Sequence, residues 1–242
     1  MRKNDSKKKI LEIGSGQGFH AYLLSKNKNN NVLGIDLSKE DVEISKKRYP
    51  NIKFRAMSAE KLIFKDRYFD EIYAMDVLEH VNNLQKTLDE ISRVLKIGGK
   101  VIINIPHYKS EKWLLSIRPS YFKEIHHVRV FKEDELDKLM KEKKFITLKK
   151  KKEGFLQHVE LFFLFNRRIS SKTQLSIGSW RDNIFTKALH AAMLYFDPIV
   201  IHTSLVYFPI WIITIPAGYI ANLLGNIYFP KSFYYEFKKI KI

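Results

Sequence analysis

Three glycines stand at alternate positions, Gly14, Gly16 and Gly18, directly behind the apolar run "ILEI". Glycine lacks a Cβ atom, so a turn built from it can bend sharply and let a bound molecule approach the backbone. A helix predicted to begin near Phe19 would direct its first N–H groups toward that molecule. Because the dinucleotide fingerprint G-x-G-x-x-G requires glycine where Phe19 stands, the spacing predicts a ligand-binding turn of a different kind.

This turn is the first of several that separate short apolar runs from longer amphipathic segments, a pattern typical of a parallel α/β sheet. The predicted strands lie at 9–13, 31–35, 52–56, 69–75, 100–105, 145–150 and 158–165. The clearest predicted helices lie at 39–48, 84–95 and 131–142. We therefore expect an open, mostly parallel sheet whose last two strands form a closing hairpin.

The character of the sequence changes after the last predicted strand. Basic residues punctuate a less regular segment, and residues 198–230 then contain no Asp, Glu, Lys or Arg. We therefore predict two parts, a folded domain at 1–166 and a basic, hydrophobic C-terminal extension at 167–242.

The glycine turn and the segments that follow it resemble, in order, the motifs of the class I S-adenosylmethionine (SAM)-dependent methyltransferases. "LEIGSGQG" is similar to their cofactor loop, and "VLGIDLS" places Asp36 where they use a carboxylate. "FRAMSAEKLIF" is similar to their adenine segment, and "FDEIYAMDVLEHV" is similar to their fourth strand. "EISRVLKIGGKVIINIP" is similar to the helix, glycine turn and fifth strand that follow. Five ordered matches over roughly residues 9–165 are more specific than one glycine motif. The resemblance implies an α/β fold with a Rossmann-like seven-stranded, mostly parallel sheet and helices on both faces, to which this chain adds a C-terminal hydrophobic helical extension.

The resemblance also implies that the chain binds SAM. Asp36 would accept hydrogen bonds from both ribose hydroxyls, whereas the alternative role, capping the next helix, suits Ser38 better. Glu12 would lie near the cationic end of the cofactor, or else at an edge that faces solvent. The family often has an acidic residue where Ser58 stands, so adenine recognition falls to the Ser58 hydroxyl, the Ala59 backbone or Glu60. The predicted cofactor-binding residues are Glu12, Gly14, Ser15, Gly16, Gly18, Asp36, Leu37, Ser58, Ala59, Glu60 and Asp76.

Methyl transfer from a sulfonium asks the protein mainly for positioning, and a hydroxyl acceptor adds the need for a base. His80 and His107 are the leading candidates, because each follows the carboxyl end of a predicted strand, where open α/β sheets bind ligands. His126 and His127 are further candidates, and the segment "HHVRVF" resembles one common in small-molecule methyltransferases, so His127 has an architectural alternative. For each histidine, a local hydrogen bond in a turn is the competing interpretation.

A metal site is not expected. The group Asp76-x-x-Glu79-His80 offers ligand atoms, but mixed ligands within one helical turn are a weak signal without further support. The chain contains no cysteine, which excludes disulfides, thiolate metal sites and a cysteine nucleophile.

The formal charge of +17 predicts an anionic partner, either nucleic acid or an anionic lipid surface, with a merely solvated surface as the alternative. The apolar segment 199–225 is long enough for a bilayer, but Pro209 and Pro216 interrupt it. It is a kinked span, an in-plane or re-entrant segment, or a helical cap over the sheet. Because basic residues flank it on both sides, we expect membrane association on the cytoplasmic side.

These patterns predict a SAM-dependent methyltransferase that modifies a small or lipid-like acceptor at a membrane surface. Nucleic acid is the less expected partner, because "MDVLEHV" stands where base-amino methyltransferases carry an "N-P-P-Y"-like segment. The alternatives are a basic RNA or protein methyltransferase and a non-catalytic SAM-binding partner subunit.

Overall fold

The computed structural model describes residues 7–153, apart from Arg118, and residues 230–241. The strands are β1 (Lys8–Ile13), β2 (Asn30–Asp36), β3 (Lys53–Ala56), β4 (Phe69–Met75), β5 (Leu95–Pro106), β6 (Phe145–Glu153) and β7 (Ser232–Lys239). The helices are α1 (Phe19–Ser25), α2 (Lys39–Arg48), α3 (Leu84–Val94), α4 (Tyr108–Ile117), α5 (Tyr121–Ile125) and α6 (Glu135–Glu142).

The seven described strands form one sheet in the order β3-β2-β1-β4-β5-β7-β6. The first five strands in that order pair in parallel, and β7 runs antiparallel to both of its neighbours. Ile13, at the end of β1, pairs with Ile35 of β2 and Ala74 of β4. The turns that follow these three strands therefore meet at one edge of the sheet, which is where open α/β folds bind ligands.

Helices cover both faces of the sheet, as predicted. Leu11 belongs to a large buried cluster that includes residues of α3 and α6. Its neighbour Ile10 belongs to a second cluster with Ala21 of α1 and Val42 of α2. Successive side chains of a strand point to opposite faces, so the two clusters lie on the two sides of the sheet.

Strand β6 has a partner that was not predicted, because it pairs with β7. The predicted strand at 158–165, and with it the predicted closing hairpin, lies outside the described residues. In β7 the side chains of Phe233, Tyr235 and Phe237 are buried at alternate positions. That alternation is present in "KSFYYEFKK", but because the segment is rich in lysine, the prediction places it in the basic C-terminal extension. The division at residue 166 stays a prediction, with residues 232–239 now assigned to the sheet.

Two helix boundaries also differ from the prediction. The helix expected at 131–142 begins at Glu135, and Phe131 is buried ahead of it. The helix expected at 84–95 ends at Val94, because Leu95 takes an extended conformation and begins β5.

Within the described ranges, no helix has both the length and the apolar character needed to cross a membrane. The apolar segment 199–225 and the helical extension predicted around it lie outside those ranges.

Candidate cofactor and acceptor cleft

A cleft of about 1060 Å³ opens at the carboxyl ends of β1, β2 and β4. Its walls come from the turns after these strands, from the segment after β3 and from the end of α5. The lining residues are Ile13, Gly14, Asp36, Leu37, Ser38, Asp41, Met57, Ser58, Ala59, Glu60, Asp76, Val77, His80, Val81, Asn82, Ile125 and His126. The cleft is large enough for a nucleoside-sized ligand together with a second molecule.

The carboxylate of Asp36 is held in place by two backbone N–H groups. Gly16 donates to its Oδ2 atom at 2.7 Å, and Ser38 donates to its Oδ1 atom at 2.9 Å. Each carboxylate oxygen keeps capacity to accept a further hydrogen bond. The side chain of Ser38 accepts from the Asp41 N–H at 3.1 Å and so caps α2. Asp36 is therefore not needed as the side-chain cap of α2, and its carboxylate is oriented at the wall of the cleft.

The three glycines of the first turn all have positive φ angles, but they differ in their surroundings. A Cβ atom on Gly14 would come within 2.3 Å of Val77, and one on Gly18 would come within 2.7 Å of Phe54. A Cβ atom on Gly16 would meet no described atom within 4 Å. Gly14 thus allows the turn to pack against the segment after β4, and Gly18 allows α1 to pack beside β3.

Glu12 lies behind the glycine turn and does not line the cleft. It is 2% exposed, and its Oε1 atom accepts a 2.8 Å hydrogen bond from Nδ1 of His20. Its Oε2 atom has no hydrogen-bond partner among the described residues. Burial raises the pKa of Glu12, and the contact with His20 opposes that rise. The alternative prediction, that Glu12 is an edge residue facing solvent, is therefore wrong.

The segment after β3 forms the wall predicted to face adenine. The Ser58 hydroxyl accepts a 3.2 Å hydrogen bond from the Glu60 N–H. A carboxylate oxygen of Glu60 accepts from the Asn83 N–H at 2.9 Å, which ties this wall to the start of α3. Leu37 also lines the cleft, and 77% of its surface is exposed. An apolar side chain displayed in this way favours a ligand with a flat apolar face.

The segment after β4 forms the other wall. Asp76 adopts a φ angle of 54° and accepts a 2.7 Å hydrogen bond from the Asn104 side chain. His80 lines the cleft, and its Nδ1 atom lies 3.1 Å from the His126 carbonyl oxygen. A carbonyl oxygen only accepts, so Nδ1 carries the hydrogen and Nε2 carries the lone pair of the neutral ring. Desolvation lowers the pKa of His80 below its usual value.

Arg129 fixes the shape of this second wall from behind. Its guanidinium donates to the carbonyl oxygens of Leu78, Val81 and Asn82, at 3.2, 2.6 and 3.1 Å. Glu79, which follows Leu78 in this segment, is 1% exposed. Its burial, together with the nearby Asp76 carboxylate, raises the pKa of Glu79 well above the usual value.

His107, the second predicted catalytic histidine, does not line the cleft. It is 1% exposed, its Nδ1 atom accepts a 3.2 Å hydrogen bond from the Lys109 N–H, and its ring lies 4.4 Å from that of Phe233. This position, in the seam between β5 and β7, suits the alternative of a local structural role.

Nine of the fifteen predicted site residues line the cleft, namely Gly14, Asp36, Leu37, Ser58, Ala59, Glu60, Asp76, His80 and His126. The other six do not, namely Glu12, Ser15, Gly16, Gly18, His107 and His127. Val77, Val81 and Asn82 line the cleft but were not predicted, although their position shortly after β4 was a usable signal. Ile125 was not predicted either, because it comes from a distant helix and no local pattern marks it.

The sheet order and the cleft at its carboxyl edge define a Rossmann-like methyltransferase fold. The solved structure of the YcgJ protein from Bacillus subtilis has the same fold, with a TM-score of 0.55 and 20% identity over 98% of this chain and 94% of that one. A family model described as a methyltransferase domain matches residues 11–103. The chain is thus similar over residues 11–103 to a methyltransferase domain, within a Rossmann-like methyltransferase fold.

Two curated relatives are quinone-biosynthesis enzymes by name. Demethylmenaquinone methyltransferase from Chlorobaculum tepidum is 35% identical over 117 residues, which are 48% of each chain. The ubiquinone/menaquinone biosynthesis C-methyltransferase from Zymomonas mobilis is 33% identical over 109 residues, 43% of this chain and 44% of that one. The matches therefore span about half the length of these relatives.

Proposed function

We propose that this protein transfers a methyl group from SAM to a small or lipid-like acceptor at a membrane surface. The observation that carries the proposal is the Asp36 carboxylate, which two backbone N–H groups orient at the wall of a cleft. The similarity to a methyltransferase domain supports SAM as the cofactor, because class I methyltransferases in general use SAM.

The residues present fit SAM. The ribose offers two neighbouring hydroxyl donors, and the two oxygens of Asp36 are fixed side by side to accept them. The exposed Leu37 and the half-buried Met57 supply apolar surface for the adenine ring. Gly14 keeps the turn close to the cleft for the amino-acid end of the cofactor. When bound, the sulfonium supplies an electrophilic methyl group, and the protein has to position the acceptor in line with it.

The wall after β4 is the one that we assign to the acceptor. It combines apolar side chains, Val77 and Val81, with the ring of His80, whose Nε2 lone pair suits an acceptor hydroxyl. Ile125 adds apolar surface from α5. This mixture favours a molecule with an apolar body and a hydroxyl group. The relatives named for demethylmenaquinone and ubiquinone biosynthesis support a quinol-like acceptor.

A membrane surface is the proposed place of encounter. Strand β6 lies at the edge of the described sheet and exposes Ile146 and Leu148 by 44% and 46%. Lys149 and Lys151 follow them along the same strand and are exposed, whereas Lys150 and Lys152 form ion pairs with acidic residues of the same domain. Exposed apolar side chains with adjacent lysines suit an anionic lipid surface, and the apolar sequence of residues 199–225 favours the same partner. The net charge of +17 favours the same partner.

The test follows labelled methyl groups from SAM into separate acceptor fractions. Full-length protein is incubated with a lipid extract in anionic vesicles, with total RNA and with a protein extract. We expect label in the lipid fraction and a loss of that label when the anionic vesicles are replaced by neutral ones. Label in RNA or protein alone would overturn the acceptor class, and SAM binding without label in any fraction would favour a non-catalytic partner subunit.

A further inference from the structure

We propose that Glu79, His80 and His127 form a binding site for a divalent first-row transition-metal ion at the acceptor wall of the cleft. One carboxylate oxygen of Glu79 and a ring nitrogen of each histidine lie within 4.8 Å of one another. The sequence showed only the first two ligands, side by side after β4. The fold adds His127 from a segment 47 positions further along the chain, which is the support that the short motif lacked.

The distances require only a small contraction to hold an ion. Ligands that bind a common ion at ~2.1 Å lie about 3 to 4 Å from one another. Side-chain rotations can bring donors that already lie within 4.8 Å to that spacing. Two imidazoles and one carboxylate are a donor set that suits transition metals and leaves coordination positions open for a further ligand.

The Nδ1 atom of each histidine ring, His80 and His127, is held by a hydrogen bond. Nδ1 of His80 donates to the His126 carbonyl, and Nδ1 of His127 lies 2.8 Å from a carboxylate oxygen of Glu111. The side chains of His127 and Glu111 are only 7% and 4% exposed. A carboxylate or carbonyl on the rear nitrogen is the usual support of a metal-binding histidine, because it fixes the ring and directs Nε2 to the ion.

Glu79 gives an independent reason to expect a cation. Its residue is 1% exposed, and neither of its carboxylate oxygens has a hydrogen-bond partner among the described residues. A buried carboxylate without a partner is costly, and such groups in proteins pair with a donor or bind a metal. Arg129 holds the carbonyl oxygens on both sides of Glu79 and so fixes the turn that buries it.

The site would act on the acceptor. Since His80 lines the cleft, an ion bound to its Nε2 atom would replace the free lone pair as the group that meets the acceptor, and it can take a hydroxyl oxygen of the acceptor in an open coordination position. The oxygen then loses its proton to solvent more readily, because the positive ion stabilises the resulting anion. This role rests on the proposed function, whereas the binding of the ion itself does not.

The test is a calorimetric titration of full-length protein with Mn²⁺ and with Zn²⁺ after treatment with a chelator. We expect one ion per chain in the wild type. Glu79→Gln and His127→Gln should each weaken the affinity at least tenfold. Glu40→Gln is the matched control, because it makes the same change as Glu79→Gln at an exposed carboxylate on α2, outside the cluster. Circular dichroism establishes that each variant is folded.

Equal affinities in wild type, Glu79→Gln and His127→Gln would overturn the proposal, as would the absence of binding at 1 mM ion in the wild type. SAM affinity measured on the same samples separates the two claims. Ion binding that depends on Glu79 but occurs without SAM binding would support the metal site and contradict the proposed function. SAM binding without ion binding would contradict the metal site and leave the proposed function standing.

Discussion

The Gly16 N–H donates a 2.7 Å hydrogen bond to Oδ2 of Asp36, which joins the turn after β1 to the carboxylate at the end of β2. The two residues are 20 positions apart in the chain, and the parallel pairing of β1 with β2 brings them together. The glycine turn therefore has two tasks. It shapes the cleft, and it orients the acid that we assign to the ribose.

Leu37→Ser should weaken SAM binding without destabilising the free protein. Leu37 is 77% exposed, so its apolar surface is removed from water only when a ligand covers it. A loss of about 1 kcal/mol corresponds to roughly fivefold weaker binding. Ile63→Ser is the matched control, since Ile63 is 68% exposed and does not line the cleft. Equal SAM affinities for the two variants, measured by calorimetry, would remove Leu37 from the site.

Gly14→Ala and Gly98→Ala separate backbone strain from steric conflict. The φ angles are similar, 70° and 77°, so both variants should pay about 1 kcal/mol for the left-handed conformation. Gly14→Ala should lose more, because its Cβ would lie 2.3 Å from Val77, whereas a Cβ on Gly98 would meet no described atom within 4 Å. Thermal unfolding measures the difference.

The steric part of this loss has its own control. In the double variant Gly14→Ala/Val77→Ala, the conflicting side-chain atoms are gone, so part of the lost stability should return. If Gly14→Ala is no less stable than Gly98→Ala, the close approach of the turn to Val77 is not a packing constraint.

Glu12→Gln should stabilise the protein at neutral pH. The pKa of Glu12 is raised in the folded state, mainly by burial, so ionisation of this group opposes folding. The cost is absent below the ordinary glutamate pKa, where both states are protonated, and it grows as the pH rises through the raised pKa. His20 and Asp36 are the other groups that act on Glu12, and glutamine can still accept from His20.

The measurement is the difference in melting temperature between Glu12→Gln and the wild type from pH 4 to pH 8. This difference should be small at pH 4 and should favour the variant increasingly toward neutral pH. A difference that shrinks as the pH rises would mean that the pair with His20 outweighs burial.

Phe237→Ala tests whether β7 belongs to the core of the domain. Phe237 is fully buried between β5 and β6, so its truncation should cost about 3–5 kcal/mol of unfolding free energy. Tyr234→Ala, on the same strand but at a half-buried position, should cost clearly less. Equal and small losses in chemical denaturation would show that the sheet is stable without this strand.

The sequence was sufficient for the parts of the fold that local patterns encode. The alternation of apolar runs predicted β1 to β5 to within a few residues, because each strand is followed by a turn signal of its own. It was insufficient for β7, since strand pairing over 80 positions is decided by the buried faces of Phe233, Tyr235 and Phe237 and not by a neighbouring turn.

The candidate site divides in the same way. Asp36, Leu37 and Asp76 were predictable because Asp36 is the last residue of β2 and the other two directly follow β2 and β4, which end at the same edge of the sheet. His107 also follows a strand, but β7 packs against its ring and takes it away from the cleft. His127 and Glu111 could not be paired from the sequence, because their contact depends on how the segment after β5 folds back over the turn after β4.

SAM affinity of full-length wild type and Asp36→Asn, measured by isothermal titration calorimetry, tests the central claim most directly. A charge-assisted hydrogen bond contributes about 1.5–3 kcal/mol, so the loss of the carboxylate should weaken binding at least tenfold. Glu40→Gln, an exposed carboxylate on α2, should keep the wild-type affinity. No SAM binding by the wild type, or equal affinities for wild type and Asp36→Asn, would contradict the account.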